Sequence, residues 1–193
     1  ELMRPYHESR VVKPAELVDK AIGSPFASFL LRREIVEKLP DYYVDCPVGD
    51  RPLELMAADF GDSYYFDEPM SVYRFGIRGS WTENQMNGDY VEKQQKYAAD
   101  MWKMYHRFDA ETGGRFHEAC EHAGRRVEFL TAVNTRNFDL IYRPENADFL
   151  QELSRHDRFF IDFEHRFPKL YHGLRRLKSG APKQIEDKKS EEK

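Results

Sequence analysis

The rhythm of apolar and polar positions changes once along this chain, near residue 83. Before that point the apolar runs are short and separated by proline, glycine and charge. "RVVKP" (residues 10–14) is a β-prone run closed by Pro14. "PAELVDKAIG" (14–23) has helical spacing, with proline at its first position and Gly23 as a stop. "FASFLL" (26–31) reads as a buried strand, and "RREIVEKLP" (32–40) as a two-turn helix ended by Pro40. From Asp50 onward Leu53, Leu55, Met56, Ala57, Ala58 and Phe60 predict a mostly buried helix that Gly61 stops. "SYYFDEPMSVYRF" (63–75) reads as a strand broken at Glu68 and Pro69. Strand, helix, strand, helix, strand predicts an α/β layer.

After residue 83 the period lengthens. Tyr90, Val91, Tyr97, Ala98, Met101, Trp102, Tyr105 and Phe108 recur at helical spacing, as do Phe116, Ala119, Cys120, Ala123, Val127, Leu130 and Val133. "ETGG" (111–114) joins the two runs, which predicts an antiparallel helix pair whose aromatic stripe is core. A shorter helix over 146–154 follows the turn at Pro144. A last one carries Phe160, Phe163, Phe167, Leu170, Leu174 and Leu177, with a kink at Pro168. The tail after Ser179 mixes lysines and acids with little to bury and is expected to be disordered. The division is therefore 1–83, 84–178 and 179–193.

Composition narrows the function classes. The chain has 193 residues, 40% hydrophobic and 33% charged, with a formal net charge of −4. That charge does not favour nucleic-acid binding. The 2 cysteines, Cys46 and Cys120, have no metal-ligand spacing and predict no disulfide framework. "PFASFLL" (25–31) is too short to span a bilayer, and "ELMRPYHESR" (1–10) has no apolar signal core. The sequence does not begin with Met, so the start is expected to lie upstream.

Three stretches carry candidate chemistry. Asp50, with Pro52 after it, is a standard helix start, because its carboxylate accepts from free backbone N–H groups. The same position on a loop-to-helix edge suits a general base. "MSVYRFGIRGSWT" (70–82) places Arg74 and Arg78 before Gly79, Ser80 and Trp81. Arginine forks pair with phosphate oxygens, and an exposed indole offers a flat face to a sugar ring. The plain reading is a strand entering a glycine turn with surface arginines. "RFPKLYHGLRRLK" (166–178) holds five Lys and Arg residues and no acid. It suits peripheral contact with an anionic membrane, or a solvated basic helix end favoured by its dipole. The histidines and the acids Glu34, Glu37, Asp59, Asp62, Asp67 and Glu68 show no metal-loop spacing.

Taken in order, "ASFLLRREIVEKLP", "CPVGDRPLELMAADFG" and "YYFDEPMSVYRFGIRGSWT" resemble the C-terminal half of the family-2 glycosyltransferase catalytic domain, of the bacterial surface-polysaccharide and lipopolysaccharide type. The resemblance covers residues 23–82. It implies a partial GT-A, Rossmann-like layer followed by a helical extension. It also implies inverting transfer from a nucleotide-sugar donor, expected to be UDP-linked, to a glycan or lipid-linked saccharide acceptor at the cytoplasmic face of the cell envelope. The family's "GD-x-P-L" block falls on Gly49, Asp50, Pro52 and Leu53, which makes Asp50 the expected base. Its donor- and acceptor-closing segment falls on Met70 to Arg74, Gly79 and Trp81, with Arg78 and Ser80 among the expected substrate contacts. Two departures stand out. Gly76 occupies the place of a common histidine ligand, and Phe26, Ala27 and Ser28 replace a hydroxyl-rich entry. The family's nucleotide-binding half, with the D-x-D that holds a divalent Mg or Mn ion, has no counterpart before Arg10. The chain is thus expected to be a fragment, inactive alone, whose open sheet edge promotes homo-oligomers. The rival expectation is a non-catalytic helical module that binds a protein partner on an α/β scaffold.

Overall fold

The computed structural model describes residues 5–20, 26–72, 74, 77–86 and 88–178. The chain forms two compact units, Glu1–Asn146 and Ala147–Lys193.

In the first unit, strand β1 (Arg10–Val12) leads into helix α1 (Pro14–Lys20). A 3-10 turn (Phe26–Ser28), helix α2 (Arg33–Glu37) and a second 3-10 turn (Asp41–Asp45) follow. Helix α3 (Arg51–Phe60) then runs into strand β2 (Ser63–Tyr65), and helix α4 (Trp81–Met86) precedes the long helices α5 (Tyr90–Glu111) and α6 (His117–Thr135). Helix α7 (Phe138–Ile141) and a 3-10 turn (Pro144–Asn146) close the unit. The fold is mostly helical. Among the described residues its sheet has two strands, β1 and β2, paired antiparallel with Arg10 opposite Tyr65 and Val12 opposite Ser63.

The Rossmann-like GT-A layer expected from the sequence is not found among the described residues, whose two strands have three residues each and pair antiparallel, and two segments account for the difference. "FASFLL" is no buried strand. Phe29 N–H bonds back to Phe26 O at 3.1 Å, and Phe26 and Leu30 are exposed. A short apolar run does not by itself distinguish strand from turn, and a strand needs a neighbour for its ladder bonds. Among its described residues, "SYYFDEPMSVYRF" is strand only at its start. Beyond Tyr65 the partner β1 has ended, and Asp67 N–H is taken instead by Ser9 Oγ at 2.9 Å. Met70 and Val72 are exposed, and Tyr73 lies outside the described residues. Helix α2 is also shorter than two turns, since the chain leaves it at Lys38, ahead of Pro40.

Helices α5 and α6 form the expected antiparallel pair. Phe108 stacks on Phe116, Trp102 lies over Gly124, and Asn134 reaches Gln94, so the contacts climb the two helices in opposite chain directions. The link between them turns through Gly113 and Gly114, whose φ values of 65° and 78° suit glycine. Leu17 and Val18 of α1, Leu55 and Ala58 of α3, and Val12 of β1 join Met101, Met104, Tyr105, Phe108, Cys120 and Ala123 in one core.

Gly124 sets how closely the pair approaches. A Cβ there meets indole carbons of Trp102 at 2.6 and 2.7 Å. A mid-helix glycine costs about 1 kcal/mol relative to alanine, so Gly124→Ala gains on propensity. Overpacking costs about 1–3 kcal/mol, and here it acts on a ring already stacked on His106. Gly124→Ala is expected to lower stability by about 1 kcal/mol in urea unfolding, and Trp102→Leu in the same chain to recover most of it. A more stable Gly124→Ala chain contradicts this packing.

The second unit contains helices α8 (Ala147–Glu152), α9 (Arg155–Arg166) and α10 (Pro168–Lys178). The expected single helix with a kink at Pro168 is two helices. Proline lacks the N–H that α9 needs to continue and biases Phe167 away from helical angles, and Phe167 sits at φ −134°, ψ 59°. Pro168 then serves as the first residue of α10. The tail 179–193, like Gly23 and Gly76, lies outside the described residues.

Candidate functional site

The N-terminus of α3 is built around a buried cation that the sequence reading passed over. Arg51 is 4% exposed. Its guanidinium donates to Glu54 Oε2 at 2.6 Å, Leu17 O at 2.8 Å, Val18 O, and the Tyr105 hydroxyl at 3.0 Å. Leu17 and Val18 belong to the last turn of α1, where carbonyls lack intrahelical partners. One side chain thus closes the end of α1, pairs with an acid on its own helix, and ties α3 to α5. Burial alone lowers the Arg51 pKa, and Tyr105 and Glu54 reverse that, leaving it raised. The available signal was an arginine and a glutamate three residues apart inside an otherwise apolar helix.

Asp50 sits immediately before this anchor, half-buried. Its Oδ1 accepts from Arg51 N–H at 2.9 Å, and its backbone oxygen accepts from Leu53 and Glu54 N–H. Asp50 is already helical at φ −81°, ψ −48°, so it caps its immediate neighbour, not the N–H groups deeper in the turn. Among the described residues, its second oxygen has no hydrogen-bond partner. Gly49, just before it, is exposed, and its carbonyl accepts from the Tyr43 hydroxyl at 3.0 Å.

Tyr97 of α5 connects Asp50 to the next candidate. Burial pushes the Tyr97 phenol up to about 12, with further upward effects from Tyr105 and from the Asp50 carboxylate. Against the same ring, edge to face with centroids 5.7 Å apart, lies Trp81, half-exposed as the first residue of α4. Ser80 Oγ caps α4 by accepting from Glu83 N–H at 3.2 Å, and Glu83 reaches back to Gly79 N–H. That exchange resembles a capping box displaced by one residue. Gly79 adopts φ 80°, which lets the chain turn from Arg78 into the helix. Trp81 therefore packs on a tyrosine whose titration also feels the charge of Asp50, and Gly49 and Ser80 flank the two in sequence. Arg74 and Arg78 are exposed and, among the described residues, pair with no acid. Nothing brings either one into hydrogen-bond contact with Asp50. The sequence reading did not single out Arg51, Tyr97 or Tyr105 as site residues, because each acts through a contact far along the chain.

A separate groove of about 200 Å³ is lined by Tyr42, Asp45, Cys46, Asp100, Lys103, Met104 and Arg107. Its charges largely neutralise each other: Arg107 pairs with Asp45 at 3.5 Å and Lys103 with Asp100 at 3.0 Å. Burial raises the Cys46 thiol, and burial pushes Cys120 up to about 12. Both shifts favour the neutral thiol over the nucleophilic thiolate.

Among the described residues, no group of three or more His, Cys, Asp or Glu side chains is placed to hold a metal ion. No helix among the described residues is long and apolar enough to cross a membrane. No family model matches this chain, and no curated protein or solved structure is significantly similar to it.

Proposed function

We propose that this chain supplies the acceptor-activating part of an inverting glycosyltransferase, with Asp50 as general base. The observation that carries the reading is the state of that carboxylate. One oxygen is fixed by Arg51 N–H, and the other is free, among the described residues, to accept a proton. Arg51 is itself locked by four bonds, so the carboxylate is held without a flexible support.

The chemistry needs one base. An acceptor hydroxyl gives its proton to Asp50 as its oxygen bonds to the anomeric carbon of the donor. The bond from that carbon to the nucleotide diphosphate breaks on the opposite face, which inverts the configuration. Trp81 offers an exposed aromatic face for a sugar ring, and Arg74 and Arg78 offer guanidiniums for the departing diphosphate. The donor is a nucleotide sugar, UDP-linked in this reading. The acceptor is a glycan or lipid-linked saccharide at the cytoplasmic face. The described residues hold no site for the cation, and no step here runs through one.

The test is sugar transfer from a nucleotide sugar by the protein that carries this chain. Asp50→Asn is expected to retain donor binding by calorimetry and to abolish transfer. Transfer at the unaltered rate refutes the role of Asp50.

A further inference from the structure

Among the described residues, helix α10 leaves a leucine stripe without a partner. Leu170, Leu174 and Leu177 follow helical spacing and are 54%, 51% and 82% exposed. The helix meets α9 through other side chains. Tyr171 packs its ring on Phe160 and Phe163, with centroids 6.5 and 6.2 Å apart, and His172 Nε2 approaches Glu164 at 3.7 Å. These contacts leave the leucines turned out of the helix pair. Phe167, at the junction and half-exposed, extends the apolar surface.

Charge identifies what covers this stripe. The protein as a whole carries −4, yet α10 contains no acid, and Lys169, Arg175 and Arg176 lie on it. At 100° per residue, Arg175 and Arg176 fall on the side away from the leucines, and Lys169 flanks the stripe. A leucine face backed by a basic polar face is the pattern of a helix lying in the plane of a lipid interface, its apolar side among the acyl chains and its cations at anionic headgroups. Protein interface cores are instead depleted of charge.

We infer that α10 docks this protein on an anionic lipid surface. The inference is independent of any role for Asp50. The whole chain should float with vesicles of phosphatidylcholine mixed with phosphatidylglycerol, and not with phosphatidylcholine alone. High salt should release it. Arg175→Gln with Arg176→Gln should weaken the partition by about 30-fold, since each basic residue near such a surface is worth about 1 kcal/mol. Leu170→Asn with Leu174→Asn should weaken it by about tenfold or more, with unchanged helicity by circular dichroism. Absence of binding to the mixed vesicles overturns the inference. So does equal binding to neutral vesicles, indifference to the arginine changes, or self-association through the leucines, which makes a second copy the occupant.

Discussion

Arg51→Met is expected to destabilise the first unit by about 3–5 kcal/mol, the range for removing one partner of a buried ion pair. Methionine fills much of the same volume, so the loss is polar. Glu54, 7% exposed, keeps a charge in the core without its 2.6 Å partner. The Leu17 and Val18 carbonyls lose their donors at the end of a helix only seven residues long. Each unsatisfied buried group adds about 1–3 kcal/mol, which places the effect at the upper part of that range. Arg51→Lys is expected to recover little, because an ammonium cannot span two carbonyls, a carboxylate and a phenol as a planar fork does. Arg51→Met with Glu54→Leu removes the stranded charge and is expected to regain part of the loss, though the two carbonyls remain open. Both tryptophans, Trp81 and Trp102, belong to the first unit, so fluorescence-detected urea unfolding reads it directly. A loss below about 1 kcal/mol shows that water or a rearranged chain end replaces the arginine.

This residue also shows where sequence reading stops. The boundaries of α3 were legible, because Asp50, Pro52 and Gly61 are local signals and the structure places the helix between them. The α5 and α6 pair was legible for a similar reason, since two long periodic runs joined through glycines leave few alternatives. Arg51 was not, because its partners lie 33, 34 and 54 residues away, apart from Glu54. A charge inside an apolar run is ambiguous until the chain end it satisfies is known. The strands failed for the related reason that β-pairing depends on a neighbour. "FASFLL" has strand composition but no partner, and β2 ends where β1 does.

The candidate site divides along the same line. Local chemistry pointed to Asp50, Ser80 and Trp81, and local geometry explains two of them, as a cap of α3 and a cap of α4. Their common neighbour was not legible. Tyr97 reads as one more aromatic in a helical stripe, and only folding sets it against Trp81 and within the field of Asp50. Arg74 and Arg78 were selected for their side-chain chemistry, and the fold leaves both on the surface.

Substitutions at Asp50 separate its two roles. Asparagine caps helices about as well as aspartate, so Asp50→Asn is expected to change unfolding by less than about 0.5 kcal/mol. It cannot take a proton at neutral pH, so on the proposed role of Asp50 as base, sugar transfer is expected to fall by about 10²–10⁴-fold. Asp50→Ala loses the bond to Arg51 N–H as well and is expected to cost about 1 kcal/mol, with a similar fall in transfer. A residue that only caps gives the reverse order: Asn silent in transfer, and Ala reduced in step with stability. Tyr97 supplies an optical control that does not depend on turnover. Its phenol is held high first by burial, then by Tyr105 and by the negative charge on Asp50. Removing that charge is expected to lower the Tyr97 titration while leaving it above the ordinary tyrosine value, since burial persists. An ultraviolet titration in which Asp50→Asn leaves Tyr97 unmoved shows that the carboxylate does not face the ring, and the link from Asp50 to Trp81 then fails.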